Sequence, residues 1–451
     1  MNLLSRIFPL FAAVALVSTG LARTEVARES LLIDAELDRP VVPADRDETV
    51  VVQIKIRPER VLSDSQRPPV NLSLVLDRSG SMSGRKIEQA IAAAKVAISK
   101  LGPRDMLSVI IYDNQIDTLA GAQAATEENI SRIRRALERV DARGGTAIYA
   151  GLNQAAAELR RHGQEGYINR MILLSDGLAN EGPSHVSDFR SLARAFAGED
   201  IVVSSVGLGL DFNEDLMTAL AEAGQGTMYF VENAQDLPRI FSLELGDVLN
   251  VAATDIEIIV YPKKGAKIIR SIGRGASIES DQARFTLPQV YGGLDKLALL
   301  EIQAPAGAAG DAQDLVEVVV NYKPVGSDEL RKQQVSVPIA YTDHVEEVKS
   351  AANVEVAQIV VENRIAEAKD GAIRYSDLGD TQQASEELKK VSLEVQQRYG
   401  FLNDAVVDES SAYLTNEAET VGNAGMSTKM RKVYRSDSYN KFNQNSAAQQ
   451  E

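Results

Sequence analysis

An aspartate and two serines at alternate positions, Asp77-Arg78-Ser79-Gly80-Ser81, follow directly on the apolar run Leu72–Leu76. One carboxylate and two hydroxyls on so short a loop bring three oxygen donors to one place, and Gly80 and Gly84 let the backbone bend tightly around them. Two more donors stand in matching positions. Gly144-Gly145-Thr146-Ala147 opens a helical pattern and puts the Thr146 hydroxyl at its N-terminus, while Met171–Leu174 runs into Ser175-Asp176-Gly177 and ends a second apolar strand in a carboxylate. An all-oxygen set of this kind selects hard cations such as Mg2+, Mn2+ or Ca2+ over zinc or copper. Taken singly, Asp77 and Asp176 read equally well as turn or capping residues after strands, and a loop set that folds without binding an ion is a further alternative. Asp113, after Ile110-Ile111-Tyr112, reads as a structural hairpin residue.

Other chemistry finds little support. Cysteine is absent, which removes disulfides, thiolate catalysis and zinc–thiolate sites, and the only histidines, His162, His185 and His344, form no H-E-x-x-H pair. Gly207-Leu208-Gly209-Leu210 lacks the third glycine of a dinucleotide loop and follows a late strand, so no organic cofactor is expected.

The elements that must position the five oxygens alternate between apolar strands and amphipathic helices from residue 70 to 249. Strands are predicted at Leu72–Leu76, Met106–Tyr112, Ile116–Ala120, Arg170–Leu174, Ile201–Val206 and Thr227–Val231. Between them, apolar residues recur at helical spacing: Ile87, Ala90, Ile91, Ala94 and Ile98; Ile130, Ile133, Leu137 and Val140 behind a Thr126 cap; Ile148, Leu152, Ala155 and Leu159. Further helices are expected around Phe189–Phe196, around Leu216–Ala221 with Asn213 as cap, and around Leu237–Leu249. The short connection from Tyr112 to Ile116 predicts an antiparallel hairpin at one sheet edge. In such a doubly wound sheet, strand ends gather ligands where connections diverge to opposite faces.

Residues 30–60 and 254–342 read as strands with Gly and Pro turns, and neither stretch buries a face alone. The economical reading is one β-sandwich, its first part at 30–60 and its second at 254–342, into which the Rossmann-like α/β domain is inserted. Ser63–Pro69 forms the linker. Residues 343–420 are helical, with Gly371 and Gly379 interrupting the pattern and two antiparallel helices expected, and residues 421–451 form a polar mobile tail.

Residues 1–22 carry a charge at Arg6, an apolar run from Ile7 to Val17 and a small-x-small end at Gly20-Leu21-Ala22, which reads as a cleaved signal peptide. The rival, an uncleaved anchor, suffers from Pro9 and from a run shorter than the ~20 residues a span needs. Export of a cysteine-free chain suits a bacterial envelope, periplasmic or secreted, with no integral span after cleavage. The formal net charge of −16 argues against nucleic acid as a partner.

Asp77, Ser79, Ser81, Thr146 and Asp176, at these separations and on this strand order, resemble the metal-ion-dependent adhesion site of von Willebrand factor A domains. The resemblance covers about 180 residues. The Ser-Gly-Ser-Met-Ser-Gly-Arg-Lys variant is most similar to the A domains of bacterial envelope proteins, inter-alpha-trypsin inhibitor heavy chains and calcium-activated chloride channel regulators. Arg85 and Lys86 stand where the integrin β-subunit pattern wants carboxylates for an adjacent ion, so one metal is expected. The resemblance implies that Ser79, Ser81 and Thr146 are direct or water-bridged neutral ligands and that Asp77 and Asp176 act through water. A cation so held stays electrophilic, and an Asp or Glu of a partner protein completes its coordination.

The leading expectation is therefore a metal-dependent protein-binding module for adhesion, assembly or scaffolding at the cell envelope, not an enzyme. Two alternatives belong to other classes. One is a magnesium-dependent hydrolase or an accessory subunit of an envelope enzyme or channel, although no general base accompanies the five oxygens. The other is a partner of a cytoplasmic ATPase, which the leader disfavours.

Overall fold

A computed structural model describes residues 31–444 except 60–66, 163–165, 328 and 403. The leader reading of residues 1–22 lies outside the described residues, as does most of the predicted linker.

The chain opens with β1 (Leu31–Leu37), β2 (Val41–Pro43) and β3 (Glu48–Pro58). The α/β region follows as β4 (Val70–Asp77), α1 (Arg85–Ile98), β5 (Met106–Tyr112), β6 (Ile116–Ala124), α2 (Glu127–Leu137), α3 (Ile148–Arg161), β7 (Ile168–Ser175), α4 (Val186–Ala197), β8 (Ile201–Leu208), α5 (Glu214–Ala223), β9 (Gln225–Val231) and α6 (Leu237–Val248). Its six strands lie in the order β6-β5-β4-β7-β8-β9, all parallel except the hairpin strand β6. Strands β4 and β8 are buried along their whole length and β7 beyond its first residue, because helices cover both sheet faces. Helices α1, α2 and α6 pack on one face, and α3, α4 and α5 on the other. The expected caps are in place: Thr126 Oγ1 accepts from Asn129 N at 3.3 Å and Asn213 Oδ1 from Leu216 N at 3.0 Å.

Strand order reverses between β4 and β7. From β4 the chain moves outward one way through β5 and β6, then returns to the other side through β7, β8 and β9. A crevice opens at the carboxyl ends of two strands whose connections leave to opposite faces. Asp77 ends β4 there, and Ser175 ends β7 beside it.

After α6 come β10 (Val251–Pro262), β11 (Lys267–Ile272), β12 (Ser277–Ile278), β13 (Ala283–Tyr291), β14 (Lys296–Ala304), β15 (Ala312–Pro324) and β16 (Arg331–Thr342). They do not form sheets alone. One sheet has the order β1-β3-β14-β11 and the other β12-β13-β10-β15-β16-β2, so strands from before and after the α/β region share both sheets. Their inner faces interdigitate through Val50, Val52, Ile54 and Ile56 on one side and Ile256, Ile258, Val318 and Val320 on the other.

The remaining elements are α7 (Val345–Ser350), α8 (Val354–Asp377), α9 (Thr381–Tyr399), α10 (Ala405–Ala424) and α11 (Thr428–Asn443). Helices α8, α9 and α10 cover the outer face of the four-stranded sheet through Val51, Ile272 and Leu299. Two sequence expectations are corrected here. Gly371 does not interrupt the helical run but lies inside α8, where a Cβ would meet Glu387 Cγ at 3.0 Å, so glycine permits close approach of α9. The tail expected to be mobile contains α11, capped by Ser427, with Tyr434, Tyr439 and Lys432 buried. Its buried faces are aromatic and cationic rather than aliphatic, and the cations are neutralised by acids on other elements. Lys432 Nζ, 2% exposed, donates to Glu214 Oε2 and to Phe212 O, each at 2.5 Å. Arg431 reaches Asp215 and Asp377 at 2.7 Å, and Tyr439 OH donates to Gly226 O at 2.7 Å. Helix α11 thus ties α5 and β9 of the α/β region to α8.

Candidate metal site at the carboxyl edge of the sheet

The fully buried Asp77 carboxylate points into the crevice between β4 and β7. Its Oδ2 accepts from Ser175 Oγ at 2.6 Å and its Oδ1 from Ser79 N at 2.7 Å, which closes the turn tightly. Burial pushes the Asp77 carboxyl up to about 6, against the opposing pull of the Ser175 and Ser79 hydrogen bonds. From there a chain of oxygens runs outward. Ser79 Oγ lies 3.0 Å from Ser81 Oγ, and Ser81 Oγ donates to Asp176 Oδ1 at 2.6 Å. The other oxygen of Asp176 accepts from Lys86 Nζ at 2.5 Å.

Thr146 joins from the third loop. A Cβ placed on Gly177 would lie 3.5 Å from Ser81 Oγ and 3.6 Å from Thr146 Oγ1, so the two hydroxyls approach one position beside Gly177. Backbone bonds bind the loops together: Gly80 N donates to Gly144 O at 3.1 Å, Arg143 N to Arg78 O at 2.6 Å, and Asn180 N to Thr146 O at 3.2 Å. Thr146 N in turn donates to Asn180 Oδ1 at 2.7 Å. Asp77, Ser79, Thr146 and Asp176 are buried, and Ser81 lies at the exposed rim.

Several residues matter here that the motif alone did not single out. Asp113 forms the expected hairpin turn, with Gln115 N donating to its Oδ1 at 2.6 Å, but it also anchors the site. Arg78 Nε and Arg143 Nε both donate to its Oδ2 at 2.9 Å, and Arg78 also pairs with Asp117. One buried carboxylate therefore fixes the loop carrying Ser79 and the loop carrying Thr146. Burial raises the Asp113 carboxyl, but Arg143, Gln115 N and Arg78 outweigh it and hold it below the usual range. The signal for this role was Arg78, an arginine between the motif's aspartate and first serine. Ser175 and Lys86, both inside quoted motifs, are the other two.

The donor set suits a hard cation. It offers two carboxylates and three hydroxyls, all oxygen donors.

Residues 71–243 match the family described as von Willebrand factor type A domain. The chain carries such an A domain. An uncharacterized protein of Synechocystis is 32% identical over 248 residues, 54% of this chain and 56% of its own length. Mouse inter-alpha-trypsin inhibitor heavy chain H2 is 28% identical over 174 residues, 37% of this chain and 18% of its own. The chain thus spans about half the length of the first of these relatives and far less of the second. Among solved structures, a von Willebrand factor type A protein from Catenulispora acidiphila superposes with a TM-score of 0.63 at 17% identity, covering 89% of this chain and 90% of its own. The ArnB paralog VWA2 from Sulfolobus acidocaldarius gives 0.55 at 17% identity, covering 92% and 99%. At these identities the likeness is one of fold, and it extends well beyond the A domain. A domains are commonly metal-dependent protein-interaction modules and mostly not enzymes. No helix among the described residues is long and apolar enough to cross a membrane.

Proposed function

We propose that this chain is a metal-ion-dependent protein-binding module, working in adhesion, assembly or scaffolding at the cell envelope. The observation that supports the reading is the hydrogen-bonded cluster of Asp77, Ser79, Ser81 and Asp176, with Thr146 Oγ1 close to Ser81 Oγ beside Gly177, at the point where strand order reverses. Ser79, Ser81 and Thr146 would hold a magnesium ion through neutral oxygens, with Asp77 and Asp176 contributing directly or through water. Bound there, the ion supplies an electrophilic centre for a carboxylate of a partner protein. The work of the protein is to orient: Asp113 fixes two of the three loops, and Ser175 fixes the Asp77 carboxylate. Export by residues 1–22 would place this surface in the periplasm or outside the cell.

The test is capture from a native envelope preparation with the full chain as bait, in Mg2+ and in chelator. A partner retained in Mg2+, lost in chelator and lost with Asp77→Ala supports the reading. A partner retained equally in all three removes it. Cell fractionation tests the location.

A further inference from the structure

Lys86 is the second residue of α1, whose N-cap is Gly84 at φ +74°. Its ammonium sits 2.5 Å from Asp176 Oδ2, while Ser81 Oγ takes Oδ1. Both oxygens of a fully buried carboxylate are thereby engaged, one by a hydroxyl that belongs to the oxygen chain and one by a fixed positive charge. On its far side the ammonium approaches the loop after β8, where a Cβ on Gly209 would lie 3.8 Å from Nζ. The side chain is 30% exposed, so it has a way out to solvent that Asp176, at 0%, lacks.

We infer that Lys86 competes with a divalent cation for Asp176 and so sets the affinity of the site, an inference that rests on the metal-binding reading above. The reason is electrostatic. On that reading a cation would draw on two carboxylates, Asp77 and Asp176, and Asp176 already has a counterion in Lys86. A divalent ion drawing on Asp176 must either share it with an ammonium, at the cost of like-charge repulsion at close range, or send the ammonium outward. Both reduce the affinity that the oxygen set alone would provide. Displaced, Lys86 remains on the rim of α1 beside the ion, where it adds positive charge to the face offered to an acidic partner segment. Lys86 acts through Asp176 and is a positioning residue.

The experiment is calorimetric titration of MgCl2 into the full-length wild-type chain, Lys86→Met and Lys86→Arg, with thermal melts in chelator and in Mg2+. Lys86→Met is expected to bind Mg2+ tighter than wild type, on the order of tenfold, and to show a larger Mg2+-induced rise in Tm. Lys86→Arg, which keeps the charge, is expected to bind no tighter than wild type. A lysine needed only for folding would give the opposite sign, with weaker binding in Lys86→Met. If Lys86→Met fails to fold, Lys86→Gln replaces it in the same titration. The proposal is overturned if wild type binds Mg2+ and the neutral variant binds it equally or more weakly. If wild type gives no binding and the neutral variant does, Lys86 blocks the site and the proposal stands. If neither binds, the metal reading itself falls, and this inference with it.

Discussion

Ser175 Oγ donates to Asp77 Oδ2 at 2.6 Å, so the last residue of β7 holds the last residue of β4 across the point where strand order reverses. The two strands pair in parallel register up to Leu76 and Leu174, and the hydroxyl-to-carboxylate bond continues that pairing one step beyond the ladder. The site is thus assembled by the sheet itself, with its loops secured afterwards.

Ser175→Ala is expected to destabilise the fold by about 1–3 kcal/mol, because it leaves a buried charged acceptor one partner short. Urea unfolding followed by circular dichroism measures this. The effect should shrink when Asp77→Asn is added, since the neutral amide no longer needs the hydroxyl to the same degree. Equal losses in both backgrounds would show that the bond contributes little.

Asp77→Ala is expected to abolish Mg2+ binding while leaving the sandwich folded, because its core of Val50, Ile54, Ile258 and Val320 shares no residue with the A-domain core. Calorimetry reads the first effect and far-ultraviolet circular dichroism the second. Unchanged Mg2+ affinity in this variant would remove Asp77 from the ligand set.

Acid sensitivity should centre on Asp105. It is fully buried, accepts from both terminal nitrogens of Arg67 at 2.7 Å, and also accepts from Val70 N at 2.9 Å and Gly102 N at 2.7 Å. Burial alone would raise its carboxyl, but Arg67 and the two backbone donors hold it below the usual 3.8. A folded-state value below the unfolded one adds stability that is fully present above the unfolded value and is lost as pH falls through the folded one. Wild type should therefore lose this contribution only below about pH 4. Asp105→Asn should be less stable at neutral pH by about 1–3 kcal/mol, since the charge-assisted bonds that the Asp105 carboxylate accepts from Arg67, Val70 N and Gly102 N are weakened. Its stability should also fall less steeply over the acid range. Parallel pH profiles of urea midpoints for the two proteins would count against this account.

Helix α11 clamps the A domain to the helical layer. Arg431 and Arg435 each bridge acids on both sides, Arg431 from Asp215 to Asp377 and Arg435 from Asp215 to Asp370. The double variant Arg431→Ala, Arg435→Ala is expected to loosen the A domain while leaving the sandwich folded. Faster amide exchange in α5 and β9, with α8 to α10 unchanged, is the expected reading. High salt should produce a weaker form of the same change in wild type, because these pairs are partly exposed and screened. Identical exchange in the double variant and wild type would show that aromatic packing alone holds the clamp.

The legibility of this molecule from its residues was uneven for physical reasons. The A-domain strands read clearly because parallel strands covered on both faces are continuous apolar runs, as in Met171–Leu174. Asp77, Ser79 and Ser81 lie together because their spacing along one loop survives translation into geometry, and Asp176 joins them from the end of β7. Asp113 did not, since its second role depends on Arg78 and Arg143 arriving from other elements. Helix α11 was hidden by its composition: Lys432 and Arg431 look like solvated charges until Glu214 and Asp215, more than two hundred residues earlier, are placed beside them. Lys86 stood in plain view as a reason to expect a single ion, but its grip on Asp176 appears only in three dimensions.

Gly177 offers the sharpest separation of binding from folding. A methyl group there would lie 3.5 Å from Ser81 Oγ and 3.6 Å from Thr146 Oγ1, which are ordinary contact distances, and Gly177 is not among the glycines at positive φ. Gly177→Ala should therefore fold with a Tm close to wild type in chelator. The methyl would nevertheless fill the space that both hydroxyls face, replacing room for an ion or its water with apolar volume. Mg2+ affinity is expected to fall by at least about tenfold, equivalent to roughly 1.4 kcal/mol, and the Mg2+-induced rise in Tm should disappear with it. Retained affinity alongside an unchanged fold would place the ion away from Thr146, on the Asp77 and Ser79 side of the oxygen chain.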